Sequence, residues 1–264
     1  MAEPPRDPVE SSRMPLRQHI EELRGCLVRS FLAFVALFSA AMVFEARLRD
    51  FILIPWEATR AGILAAGGAD PGPLIYIAPA EAFIFSIKLG GGFALLAGAP
   101  FYLWQVWRFV GAGLHSNERR AVWRAFPAAT GLFVVGLAFG YFVLVEMGLR
   151  FLLTYADSAV LVPQVTVTRY FTLLASLTLL MGFVFELPLL MWVVVRAGLV
   201  RAATLASSRK VAILGMLVFA AVMTPPDPFT MVLVATPMVV LYELGLLLAR
   251  SADAAARRAV ELDA

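Results

Sequence analysis

Long apolar runs dominate the chain, and most approach the roughly 20 residues that an α-helix needs to cross a bilayer. Short polar or turn-forming segments separate them. The pattern predicts an all-α membrane protein with a concave bundle of six transmembrane helices, the last two of them short. The predicted spans are 28–46, 83–109, 122–147, 170–195, 209–223 and 229–248.

The segments outside these spans are also predicted from local pattern. Residues 1–13 are proline-rich and predict a disordered tail, and 251–264 predicts a second tail, so that 14–250 forms the membrane domain. Met14 to Arg29 carries an apolar stripe at helical spacing and predicts an amphipathic helix leading into the first span. The region 47–82 is predicted as the longest loop, with turn chemistry around Gly67 to Pro73 and a possible short strand at Leu74 to Ile77.

Composition supports this class. Of 264 residues, 61% are hydrophobic and 16% are charged, against about 25% charged in soluble domains. The single cysteine, Cys26, excludes an internal disulfide, and two separated histidines, His19 and His115, make a histidine/cysteine metal cluster unexpected. No cofactor and no nucleic-acid partner are expected. A cleaved signal peptide is the minor alternative for the first apolar run.

Basic residues give the orientation. Six spans place sixteen lysine and arginine residues on the side of both termini and five on the other, with Lys88 inside the second span. Because basic residues favour the cytoplasmic side, both termini are predicted to be cytoplasmic.

Two carboxylates on that side are candidates for binding a cation. On a helix, Glu21 faces Arg17 and Arg24, whereas Glu22 faces no strong cation and keeps its charge available. Glu118 lies in the first turn of the third span. Each has a structural alternative: a solvated surface glutamate for Glu22, and a carboxylate stabilised by the helix dipole for Glu118.

Glu186 lies deep inside an apolar run, where a charged group costs on the order of 3 kcal/mol. Thr172, Ser176 and Glu186 share one helical arc and predict a polar stripe, and Pro188 predicts a bend. A buried structural hydrogen bond is the alternative. Glu243 shares a face with Thr236 in the sixth span, but it lies nearer the end and can instead snorkel or pair with a neighbour.

Two further patterns bear on helix packing and on catalysis. Gly136 and Gly140 fit the spacing for close helix packing, which ordinary contacts within the chain explain. A phosphate-binding glycine loop, a Gly-x-Ser-x-Gly elbow and a His-Glu-x-x-His helix are all missing from the sequence, so an enzyme is not expected.

Several motifs together resemble one family, TatC, the multispanning subunit of the twin-arginine protein translocase, from Pro15 to about Arg250. They are His19-Ile20-Glu21-Glu22-Leu23-Arg24, Ala78-Pro79-Ala80-Glu81-Ala82-Phe83, Gln105-Val106-Trp107-Arg108-Phe109 with Glu118-Arg119-Arg120, Phe139-Gly140-Tyr141-Phe142, Phe185-Glu186-Leu187-Pro188, Thr224-Pro225-Pro226-Asp227, and Pro237 through Tyr242-Glu243.

The resemblance implies a receptor for signal peptides that carry two adjacent arginines. It assigns signal-peptide binding to Glu22, Arg24, Phe109, Glu118 and Arg120. It assigns an intramembrane polar or partner site to Glu186, to which Thr172, Ser176 and Glu243 are added as candidates, and structural roles to Pro55, Pro188 and Asp227. Where the family commonly has proline, tyrosine and glutamine, this chain has Ala112, His115 and Met231.

The resemblance also implies single-span partners of the TatA and TatB type, self-association in a larger complex, a bacterial-type inner membrane and transport driven by the proton gradient. Three alternatives remain open: a proton-coupled small-molecule transporter using Glu186, an intramembrane enzyme, and a structural scaffold.

Overall fold

A computed structural model describes residues 16–112, 116–155, 163–196 and 198–262, with side chains for 20–109, 126–155, 163–196 and 198–254. The predicted tail 1–13 and His115 lie outside the described residues. The helices are α1 (Leu16–Val43), α2 (Glu45–Ala65), α3 (Pro79–Ala112), α4 (Ser116–Phe139), α5 (Val145–Thr154), α6 (Val167–Phe185), α7 (Leu187–Arg196), α8 (Ala202–Ser207), α9 (Arg209–Met223) and α10 (Pro228–Leu262).

Five helical segments are long and apolar enough to cross a membrane: Ile20–Val43, Pro79–Phe109, Phe126–Thr154, Val167–Arg196 and Pro228–Ala254. The described chain is therefore an all-α, multi-span membrane protein. The fifth predicted span, 209–223, corresponds to α9, whose 15 residues extend about 22 Å, less than the roughly 30 Å of a bilayer core. α10 continues to Leu262, through most of the segment predicted as a tail.

The prediction of a loop over 47–82 is wrong for its first half, because α2 occupies Glu45–Ala65. Its apolar face, with Ile52, Trp56 and Ile63, is buried, while charged residues interrupt the sequence between them. Those charges, with Pro55 inside the helix, conceal the helical period. At the predicted strand, Ile75 alone forms a bridge, exchanging two backbone hydrogen bonds with Val165 and Val167.

The third span is interrupted by a π-helical turn, Gly140–Leu144, between α4 and α5. The two small residues before and within it allow α4 to approach α6. A Cβ on Gly136 would lie 2.4 Å from the Met181 carbonyl oxygen, and one on Gly140 would lie 2.8 Å from the Thr178 Cα. The Gly136/Gly140 pattern therefore serves packing within the chain.

The fourth span is broken in two at Glu186. α6 ends at Phe185 and α7 begins at Leu187, with Pro188 in its first turn. The Glu186 N–H donates to the Phe183 carbonyl, a tighter turn than an α-helix makes. The break places the Glu186 carboxylate at a joint between two helices.

The main core is formed by α2, α3, the π-helical turn, α5, α6, α7, α9 and α10, and it includes the fully buried Trp56, Tyr170 and Leu246. α1 contributes little to it. Only 11% of the most apolar 18 residues of α1 are buried, and the helix packs chiefly along α3. Most of its surface is thus available to lipid.

Candidate functional site

α1 and α3 run antiparallel along a shared seam. A Cβ on Gly90 of α3 would lie 3.0 Å from Met42 Cε and 3.2 Å from Phe38 Cε2, so this part of α3 lies against the last turns of α1. Farther along, Leu27 and Val28 of α1 line the same groove as α3 residues beyond Ala99. Residue numbers therefore rise along α3 in the direction in which they fall along α1. We call this contact the α1–α3 seam.

The seam brings Glu22 and Phe109 to the same level of the bundle. We call the end that they mark the basal end. The Glu22 side chain is half-buried, and its Oε2 is enclosed without a hydrogen-bond partner among the described residues. Arg24, two positions on, is exposed, and Phe109 is half-buried. A carboxylate oxygen in this state can accept a donor that arrives on another molecule.

Glu118 and Arg120 belong to the same end through their backbone. α3 ends at Ala112 and α4 begins at Ser116, so Glu118 lies in the first turn of α4, next to the basal end of α3. The side chains of Glu118, Arg120 and Ala112 lie outside the described ones. The backbone of α4 therefore places Glu118 and Arg120 at the basal end.

An apolar groove of about 800 Å³ begins above Glu22. It lies between α1, α3, α4 and α6, and we call it the α1 groove. Its lining includes Phe31, Tyr102, Phe133, Leu179 and Phe183. The Tyr102 hydroxyl is satisfied by donating to the Ala94 carbonyl at 3.1 Å, which leaves the groove wall almost without free polar groups.

The predicted polar stripe of the fourth span is only partly available for contacts. The Thr172 hydroxyl donates to the Thr168 carbonyl at 2.8 Å, and the Ser176 hydroxyl donates to the Leu173 carbonyl at 3.0 Å. Both are therefore satisfied by their own helix. Glu186 differs: its Oε1 is enclosed and has no hydrogen-bond partner in the part of the chain that the structure describes.

Glu243 is engaged elsewhere. Its Oε2 lies 3.0 Å from Nη2 of Arg209, at the start of α9. One residue before it, the Tyr242 hydroxyl donates to the Leu205 carbonyl of α8 at 2.7 Å. Of the two interpretations of Glu243, the structure supports pairing with a neighbour, at the junction of α8, α9 and α10.

Of the three residues predicted to be structural, Pro188 and Asp227 lie at helix ends and Pro55 lies inside a helix. Pro55 is buried within α2, and Pro188 is buried in the first turn of α7. Asp227 precedes α10, and its carboxylate accepts from the Thr230 N–H at 2.7 Å and from the Thr230 hydroxyl. It therefore caps the helix N-terminus. Met231, one of the departures from the family pattern, packs partly buried against the main core.

Sequence reasoning missed three features of these regions. Gln105 is buried and makes no hydrogen bond within the described residues. Its position in the motif Gln105 to Phe109 gives no sign of this burial. Arg209 was counted only for orientation, although it pairs with Glu243. Tyr141 and Tyr170 both donate to carbonyls of α2, those of Phe51 and Ile52. A proline four residues after Phe51 is the signal that could have indicated a carbonyl in need of a donor.

Comparison with known protein families identifies the family of this chain. A family model described as "Sec-independent protein translocase protein (TatC)" matches residues 18–237. The chain belongs to the TatC family. It is thus a component of a Sec-independent protein translocase, and TatC proteins are translocase subunits rather than enzymes.

Several TatC proteins are similar over most of this chain. The Frankia casuarinae protein is 35% identical over 91% of this chain and 66% of its own length. The Desulforapulum autotrophicum protein is 33% identical, with 91% and 86% covered, and the Aquifex aeolicus protein is 32% identical, with 90% and 96% covered. The chain therefore spans about two thirds of the Frankia protein and most of the other two.

Solved TatC structures share the fold. A crystal structure described as that of the twin-arginine translocase receptor TatC superposes with a TM-score of 0.77 and 29% identity, covering 89% of this chain and 99% of the other. A second, in the detergent DDM, gives a TM-score of 0.76 at 30% identity. The arrangement of helices described above is thus that of a TatC protein.

Proposed function

We propose that this protein is the receptor subunit of a twin-arginine translocase and binds the Arg-Arg signal peptides of cargo proteins at its basal end. Glu22 and Glu118 bind the two arginines, and Arg24, Phe109 and Arg120 complete the binding site. The single observation that carries the proposal is the enclosed Oε2 of Glu22, which has no hydrogen-bond partner among the described residues and lies within two helical turns of an apolar groove.

The chemistry of arginine suits such a carboxylate. A guanidinium presents several N–H donors in one plane and can bind a carboxylate with two parallel hydrogen bonds, which an ammonium cannot copy. An exposed pair contributes only about 0.2–1 kcal/mol. A charge-assisted bond in a partly dry pocket contributes about 1.5–3 kcal/mol. Because the Glu22 carboxylate is enclosed, we expect its bond to arginine to be of this stronger, charge-assisted kind.

The α1 groove would hold the apolar part of the signal peptide. It begins within two helical turns of Glu22, so a peptide bound through its arginines has its next residues beside Leu27, Phe31 and Tyr102. Apolar peptide surface leaving water contributes about 25 cal/mol per Å². Charge thus selects the peptide at one end, and burial retains it along the groove.

The remaining assignments are those that membership of the TatC family and the distribution of basic residues support. The basal end faces the cytoplasm, both termini are cytoplasmic, and α9 completes six spans in a bacterial-type inner membrane. Single-span partners of the TatA and TatB type and further copies of the subunit assemble against the bundle, and the proton gradient drives transport. Glu186, with an enclosed oxygen at a helix joint, is the polar site for a partner or cargo helix.

Peptide binding to variants tests the proposal. Glu22→Gln, Glu118→Gln and the double variant would be reconstituted in nanodiscs and titrated with a fluorescent signal peptide containing Arg-Arg and its apolar segment. We expect each single change to weaken binding about tenfold or more and the double change to abolish specific binding. Glu21→Gln, which changes the exposed neighbour of Glu22, is the matched control. Undiminished binding by the double variant would refute the docking site.

A further inference from the structure

Gln105 is a buried amide whose hydrogen-bonding capacity is unused. Its relative exposure is 2%, the lowest of any glutamine, glutamate or charged side chain among those described. Neither Oε1 nor Nε2 makes a hydrogen bond within the described part of the chain. An amide buried in this way costs free energy that an apolar side chain of the same size would not. Packing alone therefore does not explain a glutamine at this position.

The α1–α3 seam places Gln105 opposite the turn of α1 that carries Glu22. Gly90 and Gln105 are 15 positions apart on α3, and Cys26 and Ala41, the two buried side chains among those described in α1, are also 15 positions apart. Because α3 is antiparallel to α1 and Gly90 lies against Phe38 and Met42, Gln105 falls beside Cys26. Glu22 precedes Cys26 by one helical turn on the same face.

Two enclosed polar groups thus meet at the basal end of the seam. The Glu22 Oε2 and the Gln105 amide both lack partners among the described residues, and they do not satisfy each other. Two acceptors, Glu22 Oε2 and Gln105 Oε1, at the same end of the seam suit a ligand that carries several donors in one plane. A guanidinium has five N–H groups in a fixed fork, so one edge can bind a carboxylate while another N–H reaches an amide oxygen.

We propose that Gln105 determines specificity by accepting, through Oε1, a hydrogen bond from the same peptide arginine that Glu22 binds. This inference rests on the proposed function. Its Nε2 then donates to a main-chain carbonyl of the peptide. Lysine, whose compact ammonium cannot span both acceptors, keeps the contact with Glu22 and loses that with Gln105. α1 is held mainly along this one seam, so a small outward movement of its first turns admits the side chain.

The test compares two peptides on each variant. Signal peptides containing Arg-Arg or Lys-Lys, with the same apolar segment, would be titrated against the full-length protein in nanodiscs. In Gln105→Met, affinity for the Arg-Arg peptide is expected to fall about tenfold while affinity for the Lys-Lys peptide stays the same, so the preference for arginine falls about tenfold. Because the substitution removes a buried amide without partners, the unfolding temperature should hold or rise.

Two controls separate specificity from structure. Thr59, on α2, is another buried residue whose hydroxyl lacks a partner among the described residues. Thr59→Val removes that hydroxyl and should leave the preference for arginine unchanged. Gln105→Leu repeats the test with a different apolar side chain. An unchanged Arg-to-Lys affinity ratio in Gln105→Met and Gln105→Leu overturns the inference, as does failure of both variants to fold, which would make the amide a structural requirement.

The same titration distinguishes this inference from the proposed function. If Glu22→Gln weakens the Arg-Arg peptide while Gln105→Met leaves the ratio intact, the docking site stands and only the role of Gln105 fails. If Glu22→Gln has no effect, the proposed function itself fails.

Discussion

The hydroxyl of Tyr141 donates a hydrogen bond to the backbone carbonyl of Phe51. That carbonyl would ordinarily accept from the N–H four residues later, but the residue there is Pro55, which has no N–H. A side chain from the π-helical turn therefore satisfies a backbone group that proline leaves without a donor in α2. The bond connects α2 with the π-helical turn of the third span across 90 positions of the chain.

Removing this donor should destabilise the fold. Tyr141→Phe leaves the Phe51 carbonyl without a partner in a largely apolar setting, and we expect a loss of about 1–3 kcal/mol in the free energy of unfolding. Thermal or denaturant unfolding in detergent measures it, with Tyr76→Phe at an exposed site as the control. Pro55→Ala restores an N–H, so the cost of Tyr141→Phe should be smaller in that background. An equal cost in both backgrounds would contradict the explanation.

Gly140 should not tolerate a larger side chain. Its Cβ would lie 2.8 Å from the Thr178 Cα and 2.9 Å from the Leu177 carbonyl oxygen, both backbone atoms that cannot rotate away. Gly140→Ala is therefore expected to cost about 1–3 kcal/mol and Gly140→Leu to prevent assembly of the bundle. Gly131→Ala, where a Cβ would meet nothing within 4 Å, is the matched control. Equal unfolding temperatures for the two alanine variants would show that α4 and α6 do not require this close approach.

The segment after α2 should lose stability in acid. The Arg60 side chain donates to both carboxylate oxygens of Asp70, each at 2.6 Å. These bonds, with the Gly72 N–H, lower the pKa of Asp70 from 3.8 to about 2. Because the folded-state pKa is the lower one, the contribution is complete above about pH 4 and disappears as the pH falls toward 2.

Unfolding temperature as a function of pH measures this effect. Asp70→Asn should lower the unfolding temperature at neutral pH and reduce its fall between pH 4 and 2, whereas Asp50→Asn, at an exposed carboxylate, serves as the control. Since both side chains of the pair are reached by solvent, the difference should be small and should diminish in high salt. An unchanged pH profile in Asp70→Asn would rule out a role for the pair in stability.

The short α9 should cross the membrane despite its 15 residues. Cys26 is the one cysteine of the chain, so Cys26→Ala provides a background without thiols. Pro226→Cys, at the exposed turn after α9, should react with a membrane-impermeant maleimide in intact cells from which the outer membrane has been removed. Ser208→Cys, at the exposed start of α9, should react only after the membrane is permeabilised. Labelling of both under the same condition would exclude a spanning α9.

Sequence reasoning found the long apolar helices because a membrane imposes their length and composition directly. It failed at α2, where exposed charged residues such as Arg47, Arg49 and Asp50 alternate in the sequence with the buried positions, so that no apolar run of span length is visible. It placed Glu243 with the intramembrane candidates, since spacing along α10 does not reveal that Arg209 comes within 3.0 Å from another helix.

The candidate site likewise contains one residue that the sequence could identify, Glu22, and one that it could not, Gln105. Helical spacing singled out Glu22 because its neighbours on α1 carry no strong cation, and that is a local property. Gln105 could not be recognised, because its significance depends on the register between α1 and α3. That register is determined by contacts such as Gly90 with Phe38, which join positions about 50 residues apart. Pairings between distant helices are not encoded in any one window of the chain.

Because α1 leaves most of its surface to lipid, acyl chains would fill the α1 groove in a bilayer, and under the proposed function a docking signal peptide would displace them. The groove wall would then contact acyl chains before docking and apolar peptide side chains after it. Because both are apolar, the wall itself would gain almost nothing from the hydrophobic effect. The driving force comes from the peptide, which alone moves out of water. Discrimination among cargo should then follow how much apolar surface each peptide brings, with little demand on the shapes of its side chains.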